Sequence, residues 1–265
     1  MKIGVAGKGG TGKTFIAGTL ARFFAKSLNV LAIDNDPSMN LIYTLGMNPS
    51  LRETIIPISQ MTDLIMERTA IKGGGSIVYK ANPHVSDIPD RFKISGPDGL
   101  QLLVLGTVNQ PSSGCLCAPN VLVRSLLSEL ILNRDEIVII DFEAGIEHLG
   151  RGTAKSLDIL LIVTGAYQKS LDLTQKLKGL AERLGIKNIF LIGNMIEDKI
   201  SEDLIGNWAK RNSIEVIGMI PRDKEVVICE QTGQCPYDVL QKSSRAIQEI
   251  KGIYGKLKQY FVSSE

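Results

Sequence analysis

A glycine-rich octapeptide near the beginning of the chain, residues 7–14, carries the clearest chemistry in the sequence. It matches G-x-x-x-x-G-K-[ST] and lies between an apolar run at 3–6 and an amphipathic stretch at 15–28, the strand-before and helix-after setting that the motif requires. Glycines allow backbone N–H groups to close around a polyphosphate, and the dipole of the following helix favours its negative charge. The octapeptide therefore predicts a nucleotide phosphate site rather than an ordinary glycine-rich turn.

Two side chains of this loop have expected roles in such a site. Lys13 would neutralise charge on the β- and γ-phosphates, and the Thr14 hydroxyl would ligate Mg²⁺. The residues expected to surround the nucleotide here are Gly7, Lys8, Gly9, Gly10, Thr11, Gly12, Lys13, Thr14 and Phe15.

Acidic residues follow two predicted strands. The apolar run at 30–33 leads to Asp34 and Asp36, and a second apolar run leads to Asp141. Ligands of open α/β sheets bind at the carboxyl ends of the strands, so these acids should lie near the phosphate loop. Asp141 suits Mg²⁺ coordination through water. Capping of the stretch at 38–45 is the alternative for Asp34 and Asp36.

Cys115 and Cys117 form a C-x-C pair that is a candidate metal site. In an extended strand the two thiols would point to opposite faces, so joint binding needs a turn, which Gly114 and Pro119 favour. One chain offers two soft ligands, whereas tetrahedral Zn²⁺ or an iron–sulfur cluster needs about four; a two-fold dimer would supply them. Ni²⁺ is also chemically reasonable. Taken alone, the pair is equally compatible with cysteines that bind nothing.

The composition narrows the classes of protein. The 265 residues carry 30 basic and 28 acidic side chains, a net charge of +2, with no run of five like charges, which argues against nucleic acid as a ligand. We expect no signal peptide, no membrane span and a cytoplasmic protein. In that compartment Cys229 and Cys235 are expected to be uninvolved free thiols.

Alternating strand and helix patterns predict an α/β fold: a mostly parallel twisted sheet with helices on both faces. We expect a single domain over 1–265, with an irregular insertion at about 48–98 that contains one short helix at 59–68. Apolar residues from Val239 to Phe261 recur at helical spacing and predict one final helix packed against the sheet. A membrane-targeting tail is the alternative.

The sequence K-G-G-T-G-K-T at 8–14 resembles the deviant Walker A family of dimeric ATPases, which includes ParA, MinD, the nitrogenase iron protein and the CooC proteins. The resemblance implies a homodimer that binds ATP and Mg²⁺, with Lys8 reaching across the interface to the partner's nucleotide. It places Asp36 in switch I, where it would orient or deprotonate the attacking water and hold Mg²⁺ through water. It also places Asn194, Pro221 and Asp223 beside the adenine.

Two further segments, G-C-L-C-A-P-N-V-L-V-R at 114–124 and the E-A-G-I-E-H stretch at 143–148, are similar to the CooC proteins, which assist nickel insertion into carbon monoxide dehydrogenase. The resemblance implies an ATP-hydrolysing metallochaperone whose nucleotide state is coupled to Ni²⁺ or Zn²⁺ at Cys115 and Cys117, and whose partner is carbon monoxide dehydrogenase or a related nickel enzyme. The rival functions are a ParA- or MinD-type positioning ATPase and an ATP-dependent iron–sulfur electron donor.

Overall fold

A computed structural model describes residues 1–71, 78–80, 82–106, 118–143, 145–146 and 149–262. The strands in chain order are β1 (Lys2–Gly7), β2 (Val30–Asn35), β3 (Ala70–Ile71), β4 (Val78–Tyr79), β5 (Ile94–Ser95), β6 (Gln101–Val104), β7 (Ile137–Phe142), β8 (Ile159–Thr164), β9 (Asn188–Ile196) and β10 (Glu215–Pro221).

Eight of these strands form one sheet in the order β10-β9-β8-β1-β7-β2-β6-β5, while β3 and β4 pair separately. Every neighbouring pair in the sheet is parallel except β5 with β6. The predicted mostly parallel α/β sheet is therefore confirmed. Strand β1 is central, so the loop that follows it emerges at the middle of the carboxyl edge, between the ends of β8 and β7.

The helices in chain order are α1 (Lys13–Ala25), α2 (Leu41–Thr44), α3 (Leu51–Thr54), α4 (Thr62–Thr69), α5 (Ile88–Phe92), α6 (Ala118–Leu132), α7 (Arg151–Lys155), α8 (Gln168–Leu184), α9 (Lys199–Arg211), α10 (Lys224–Gln231), α11 (Pro236–Leu240) and α12 (Arg245–Val262). None of the helices in the described ranges is long and apolar enough to cross a membrane.

The two faces of the sheet bury separate apolar cores. Because side chains alternate along a strand, Ile139 of β7 points into the core shared with α1 and α12, whereas Ile140 points into the core shared with α6, α8 and α9. Both residues are fully buried, and β7 is an unbroken apolar run from 137 to 140, as expected for a parallel strand covered on both faces.

The insertion is more regular than its prolines and glycines suggest. The predicted helix at 59–68 is present as a 3₁₀ turn (Ile58–Gln60) followed by α4, and the two are separated because Met61 has non-helical backbone angles. Ile58 and Ile65 are buried in the second core. Strand β5 extends the main sheet by pairing antiparallel with β6.

The prediction of one final helix beginning near Val239 is wrong. Helix α11 ends at Leu240 and α12 begins at Arg245. The hydroxyl oxygen of Ser244 accepts the backbone N–H of Ile247 at 3.2 Å, which caps a new helix at this point. Val239 is 55% exposed and lies outside the apolar stripe, whereas Ile247 is fully buried against the sheet.

Candidate functional site

The phosphate loop leaves β1 and enters α1 through left-handed backbone conformations. Gly10 and Gly12 have φ angles of 77° and 84°, which residues with a Cβ adopt at a cost. A Cβ at Gly9 or Gly10 would meet no heavy atom within 4 Å, so this side of the loop is open. Thr11 closes the turn, with its backbone N–H and its hydroxyl both donating to the carbonyl of Lys8 at 3.2 and 2.7 Å. The loop is thus a preformed concave backbone that is open to a ligand.

The end of β7 supplies the acidic partner of this loop. The hydroxyl of Thr14 donates to Oδ2 of Asp141 at 2.6 Å, while Oδ1 of Asp141 is buried and has no hydrogen-bond partner among the described residues. Lys13 is 6% exposed, and its ammonium donates to the carbonyl oxygen of Lys8 at 3.3 Å. An unpartnered buried carboxylate oxygen beside a hydroxyl is the donor set that a hard cation such as Mg²⁺ prefers.

The acids after β2 organise the next turn. The carboxylate of Asp34 accepts the backbone N–H groups of Asp36 and Leu41, each at 3.0 Å, so it fixes both the beginning of the turn and the first residue of α2. Asp34 therefore has the capping role that was the alternative for it. The Asp36 carboxylate accepts the backbone N–H of Ser38 at 2.8 Å and also its hydroxyl, and it faces the cavity above the phosphate loop.

Burial sets the protonation of this site. Asp34 and Asp141 occupy paired positions on β2 and β7. Burial raises the pKa of Asp34 to about 8, reinforced by the charge of Asp141, and burial raises the pKa of Asp141 to about 7 against the opposing Thr14 hydrogen bond and Lys13 charge. Burial also lowers the pKa of Lys13, opposed by the nearby carboxylates. Several carboxyl groups therefore lie close together in this site, and a bound cation would stabilise their charged form.

A cavity of about 650 Å³ lies over the loop. Its lining includes five residues that sequence reasoning missed, listed in chain order: Tyr43, Thr44, Glu230, Gln234 and Pro236. The last three belong to the α10–α11 junction, which is distant in sequence from the loop. No local motif marks them, because only the packing of α11 onto α1 brings them here.

The three residues assigned to the adenine lie outside this lining. The side-chain amide of Asn194 donates to the carbonyl of Thr11 at 2.7 Å, so it braces the phosphate loop. Asp223 caps α10 by accepting the N–H of Glu225 at 3.0 Å, and it also accepts the hydroxyl of Ser244 at 2.6 Å. Pro221 ends β10. Their contact with a base stays a prediction.

Lys8 lies on the exposed side of the loop. Its ammonium is 5.9 Å from the centroid of the Tyr167 ring, which is 44% exposed and follows the neighbouring strand β8. This separation is within the range of a cation–π contact. Lys8 therefore lies away from the cavity of its own chain. Its contact with the nucleotide of the partner chain stays a prediction.

The family model of the CobQ/CobB/MinD/ParA nucleotide binding domain matches residues 3–237. The chain belongs to this family. The match confirms the predicted class, a P-loop ATPase of the MinD/ParA type, and accounts for the position of the phosphate loop directly after the first strand.

Relatives within this family extend over nearly the whole chain. An uncharacterized ATP-binding protein of Methanocaldococcus jannaschii is 42% identical over 263 residues, covering 97% of this chain and 99% of that protein. The carbon monoxide dehydrogenase accessory protein CooC of Rhodospirillum rubrum is 40% identical over 240 residues, covering 90% of each. The resemblance to CooC proteins is thereby confirmed. The MinD chain of the Aquifex aeolicus MinC:MinD complex superposes with a TM-score of 0.69 over 97% of this chain and 95% of that chain, and its 20% identity shows the fold alone.

The proposed metal cysteines, Cys115 and Cys117, lie outside the described residues. Among those described, no group of three or more His, Cys, Asp or Glu side chains is arranged to hold a metal ion. Cys229 and Cys235 are free and buried, and burial raises the pKa of the Cys235 thiol to about 11. Both are thus free thiols, as predicted, and their lack of a role in metal binding stays a prediction.

Proposed function

We propose that this protein is an ATP-hydrolysing, dimeric metallochaperone that assists nickel insertion into carbon monoxide dehydrogenase. The observation that carries the proposal is the 40% identity with the CooC protein across 90% of each chain. The phosphate loop and its acidic partner support the ATP-dependent half of the proposal, because Thr14 and the unpartnered oxygen of Asp141 fit a nucleotide-bound cation.

In this proposal each residue of the cavity has a separate task. The backbone of the phosphate loop binds the triphosphate, and Lys13 neutralises its β and γ groups. Thr14 holds Mg²⁺, with Asp36 and Asp141 contributing through water. When bound, the cation supplies charge neutralisation at the phosphates. Asp36 faces the cavity and orients the attacking water as a hydrogen-bond acceptor.

The metal-binding half of the proposal rests on Cys115 and Cys117. Two copies of the chain would bring two thiol pairs together, and Lys8 of each copy would contact the other's nucleotide. Because ATP biases the geometry of the dimer, it changes the affinity of the shared site for Ni²⁺ or Zn²⁺. The coupling is reciprocal, so the metal must change the affinity for ATP by the same factor.

The direct test of the shared site replaces its thiols. The double variant Cys115→Ser, Cys117→Ser should lose metal-dependent dimerisation, measured by sedimentation velocity, and should retain ATP affinity because the cysteines are outside the phosphate loop. The matched control, Cys229→Ala, removes a buried thiol outside the proposed metal site and should dimerise with metal like the wild type. Metal-dependent dimers of the double serine variant would reject the shared site.

Metal content separates this function from its electron-carrier rival. Anaerobically purified chaperone should contain stoichiometric Ni²⁺ or Zn²⁺ and neither iron nor inorganic sulfide. Visible absorbance together with iron and sulfide would indicate a bridging cluster and would favour an ATP-dependent electron donor instead.

A further inference from the structure

We infer that the ion pair of Arg22 with Asp238 positions one wall of the nucleotide cavity and thereby sets the affinity for the nucleoside part of the nucleotide. The wall consists of Glu230, Gln234 and Pro236, here called the C-terminal wall. The inference rests on the proposed nucleotide site and adds the residues that determine how well this wall fits its ligand.

The C-terminal wall is attached to α1 by a charged fork. Asp238 lies one half-turn beyond Pro236 in α11. Its two carboxylate oxygens accept from Nη2 and Nη1 of Arg22 at 2.7 and 3.1 Å, a bidentate geometry. The Arg22 side chain is 5% exposed and that of Asp238 is 45% exposed. A buried guanidinium needs such partners, so the pair fixes the distance between α11 and α1.

Further contacts hold the same junction. The Arg22 guanidinium lies 4.7 Å from the centroid of the Tyr237 ring and donates to the carbonyl of Leu45 at 2.8 Å. The thiol of Cys235 donates to the carbonyl of Thr44, a residue that also lines the cavity, at 3.2 Å. These contacts attach the C-terminal wall to Thr44 and Leu45, which follow the turn that Asp34 and Asp36 organise.

Close approach at this junction depends on a glycine. Gly46 has a φ of 72°, and a Cβ there would lie 2.3 Å from Oδ2 of Asp238 and 2.7 Å from Nη1 of Arg22. A side chain at this position would displace the ion pair. The backbone conformation and the missing side chain together allow the carboxylate to reach the arginine.

Arg22 also binds a second carboxylate, that of Asp98, which serves as a comparison for Asp238. Nε and Nη2 of Arg22 donate to Oδ2 of Asp98 at 3.3 and 3.2 Å, and Oδ1 of Asp98 accepts from Lys26 at 3.0 Å. Asp98 belongs to the turn Pro97–Gly99 and is absent from the cavity lining. Both acids compensate the same buried charge, but only Asp238 belongs to α11, the helix that contributes Pro236 to the wall.

The chemistry of the wall suits the nucleoside rather than the phosphates. In the proposed site the phosphate loop, which also lines the cavity, holds the triphosphate. The lining further includes a carboxylate, an amide and a proline ring from the C-terminal wall, together with the side chain of Tyr43. Carboxylate and amide groups can pair with sugar hydroxyls and base edges, and apolar rings can cover a base.

The test compares Asp238→Asn with the matched variant Asp98→Asn. Dissociation constants for ATP and for inorganic triphosphate are measured by competition against a fluorescent nucleotide, and melting temperatures are recorded in parallel. Asp238→Asn should weaken ATP binding by about fivefold, the scale of coupling through a positioning contact, and leave triphosphate binding unchanged. Asp98→Asn should lower the melting temperature similarly and leave both affinities within about twofold of wild type. Asp238→Glu, which retains the charge, should restore part of the ATP affinity.

Three results would overturn the inference: unchanged ATP affinity in Asp238→Asn, an equal loss of ATP affinity in Asp98→Asn, or a parallel loss of ATP and triphosphate. Unchanged ATP affinity would show that the ion pair does not act on the cavity. An equal loss in Asp98→Asn would show that the ion pair contributes only to stability. A parallel loss of ATP and triphosphate would show that the ion pair acts on phosphate binding. A wild-type protein that binds triphosphate but no ATP would instead reject the proposed ATP site.

Discussion

The hydroxyl of Thr14 and the carboxylate of Asp141 are hydrogen-bonded at 2.6 Å although 127 positions separate them in the sequence. The contact joins the first turn of α1 to the end of β7, and the second oxygen of Asp141 is buried with no hydrogen-bond partner in the part of the chain that the structure describes. A buried carboxylate oxygen in that condition is costly, and a cation would satisfy it. The two residues therefore define where the nucleotide-bound metal is expected.

Substitution of Asp141 should weaken Mg²⁺ binding more than it weakens nucleotide binding. Asp141→Asn keeps the shape but removes the charge, so we expect Mg²⁺ affinity in the nucleotide complex to fall about 10- to 100-fold. Binding of ATP measured in EDTA should be little changed, since the phosphate loop is intact. The ATPase rate measured over a range of Mg²⁺ concentrations checks this. Asp158→Asn is the control, because Asp158 precedes β8 and lies at the amino ends of the strands, away from the site. If ATP affinity measured in EDTA fell as much as Mg²⁺ affinity, the assignment of Asp141 to the cation would be contradicted.

Lys8 should matter to hydrolysis more than to binding. Its side chain lies over Tyr167 rather than in its own cavity, and it is proposed to act on the partner's nucleotide. Lys8→Ala is therefore expected to lower the ATPase rate by about a hundredfold, as for loss of one charge-stabilising donor, with the dissociation constant for ATP nearly unchanged. Lys187→Ala, an exposed lysine between α8 and β9, is the control. If Lys8→Ala loses affinity and rate in equal measure, the trans role is wrong.

The phosphate loop requires glycine at position 12 for two reasons. Its φ is 84°, and a Cβ would lie 2.2 Å from Nδ2 of Asn194. Gly12→Ala should abolish detectable ATP binding and lower the free energy of unfolding by about 1–3 kcal/mol. Gly252→Ala is the matched control: it lies in α12 with open space around the new methyl group, and it should raise stability by about 0.5–1 kcal/mol. Urea unfolding and ATP titration measure both effects, and a stable, ATP-binding Gly12→Ala protein would contradict the packing.

Stability of the nucleotide-free protein should fall as pH rises. The pKa values of Asp34 and Asp141 in the folded state are raised to about 8 and about 7, above those of the unfolded chain. Between about pH 4 and 8 the folded state then binds more protons than the unfolded state, so the free energy of unfolding decreases over this window. Asp34→Asn removes one titrating group and should flatten the slope of melting temperature against pH between about pH 5 and 8. A slope unchanged from wild type would show that Asp34 does not titrate in this window.

The sequence predicts the parts of the fold that depend on neighbouring residues. The glycine-rich loop, the apolar strands and the acids that follow them are local patterns, and the parallel sheet follows from their alternation. The acids converge because the carboxyl ends of β1, β2 and β7 meet at one edge, a topological consequence that the sequence pattern supports.

The remaining features depend on contacts that no local pattern marks. The C-terminal wall adjoins α11, and α11 contacts α1 through the ion pair of Arg22 with Asp238, 216 positions away. The single final helix was wrong because helical spacing of apolar residues continues across Ser244, whose capping hydroxyl divides the segment. The hydrogen bond from the Asn194 amide to the phosphate loop is another contact that no local pattern marks, and the contact of Asn194 with a base stays a prediction.

The central claim is that nucleotide state controls metal binding in a paired assembly. The most direct measurement is a titration of Ni²⁺ and of Zn²⁺ into the reduced wild-type protein with bound ATP and, separately, with bound ADP, with the oligomeric state followed by light scattering. We predict a dimer that binds one metal ion per two chains, with affinities that differ at least about fivefold between the two nucleotides. A monomer that binds the metal equally tightly with either nucleotide would contradict the claim.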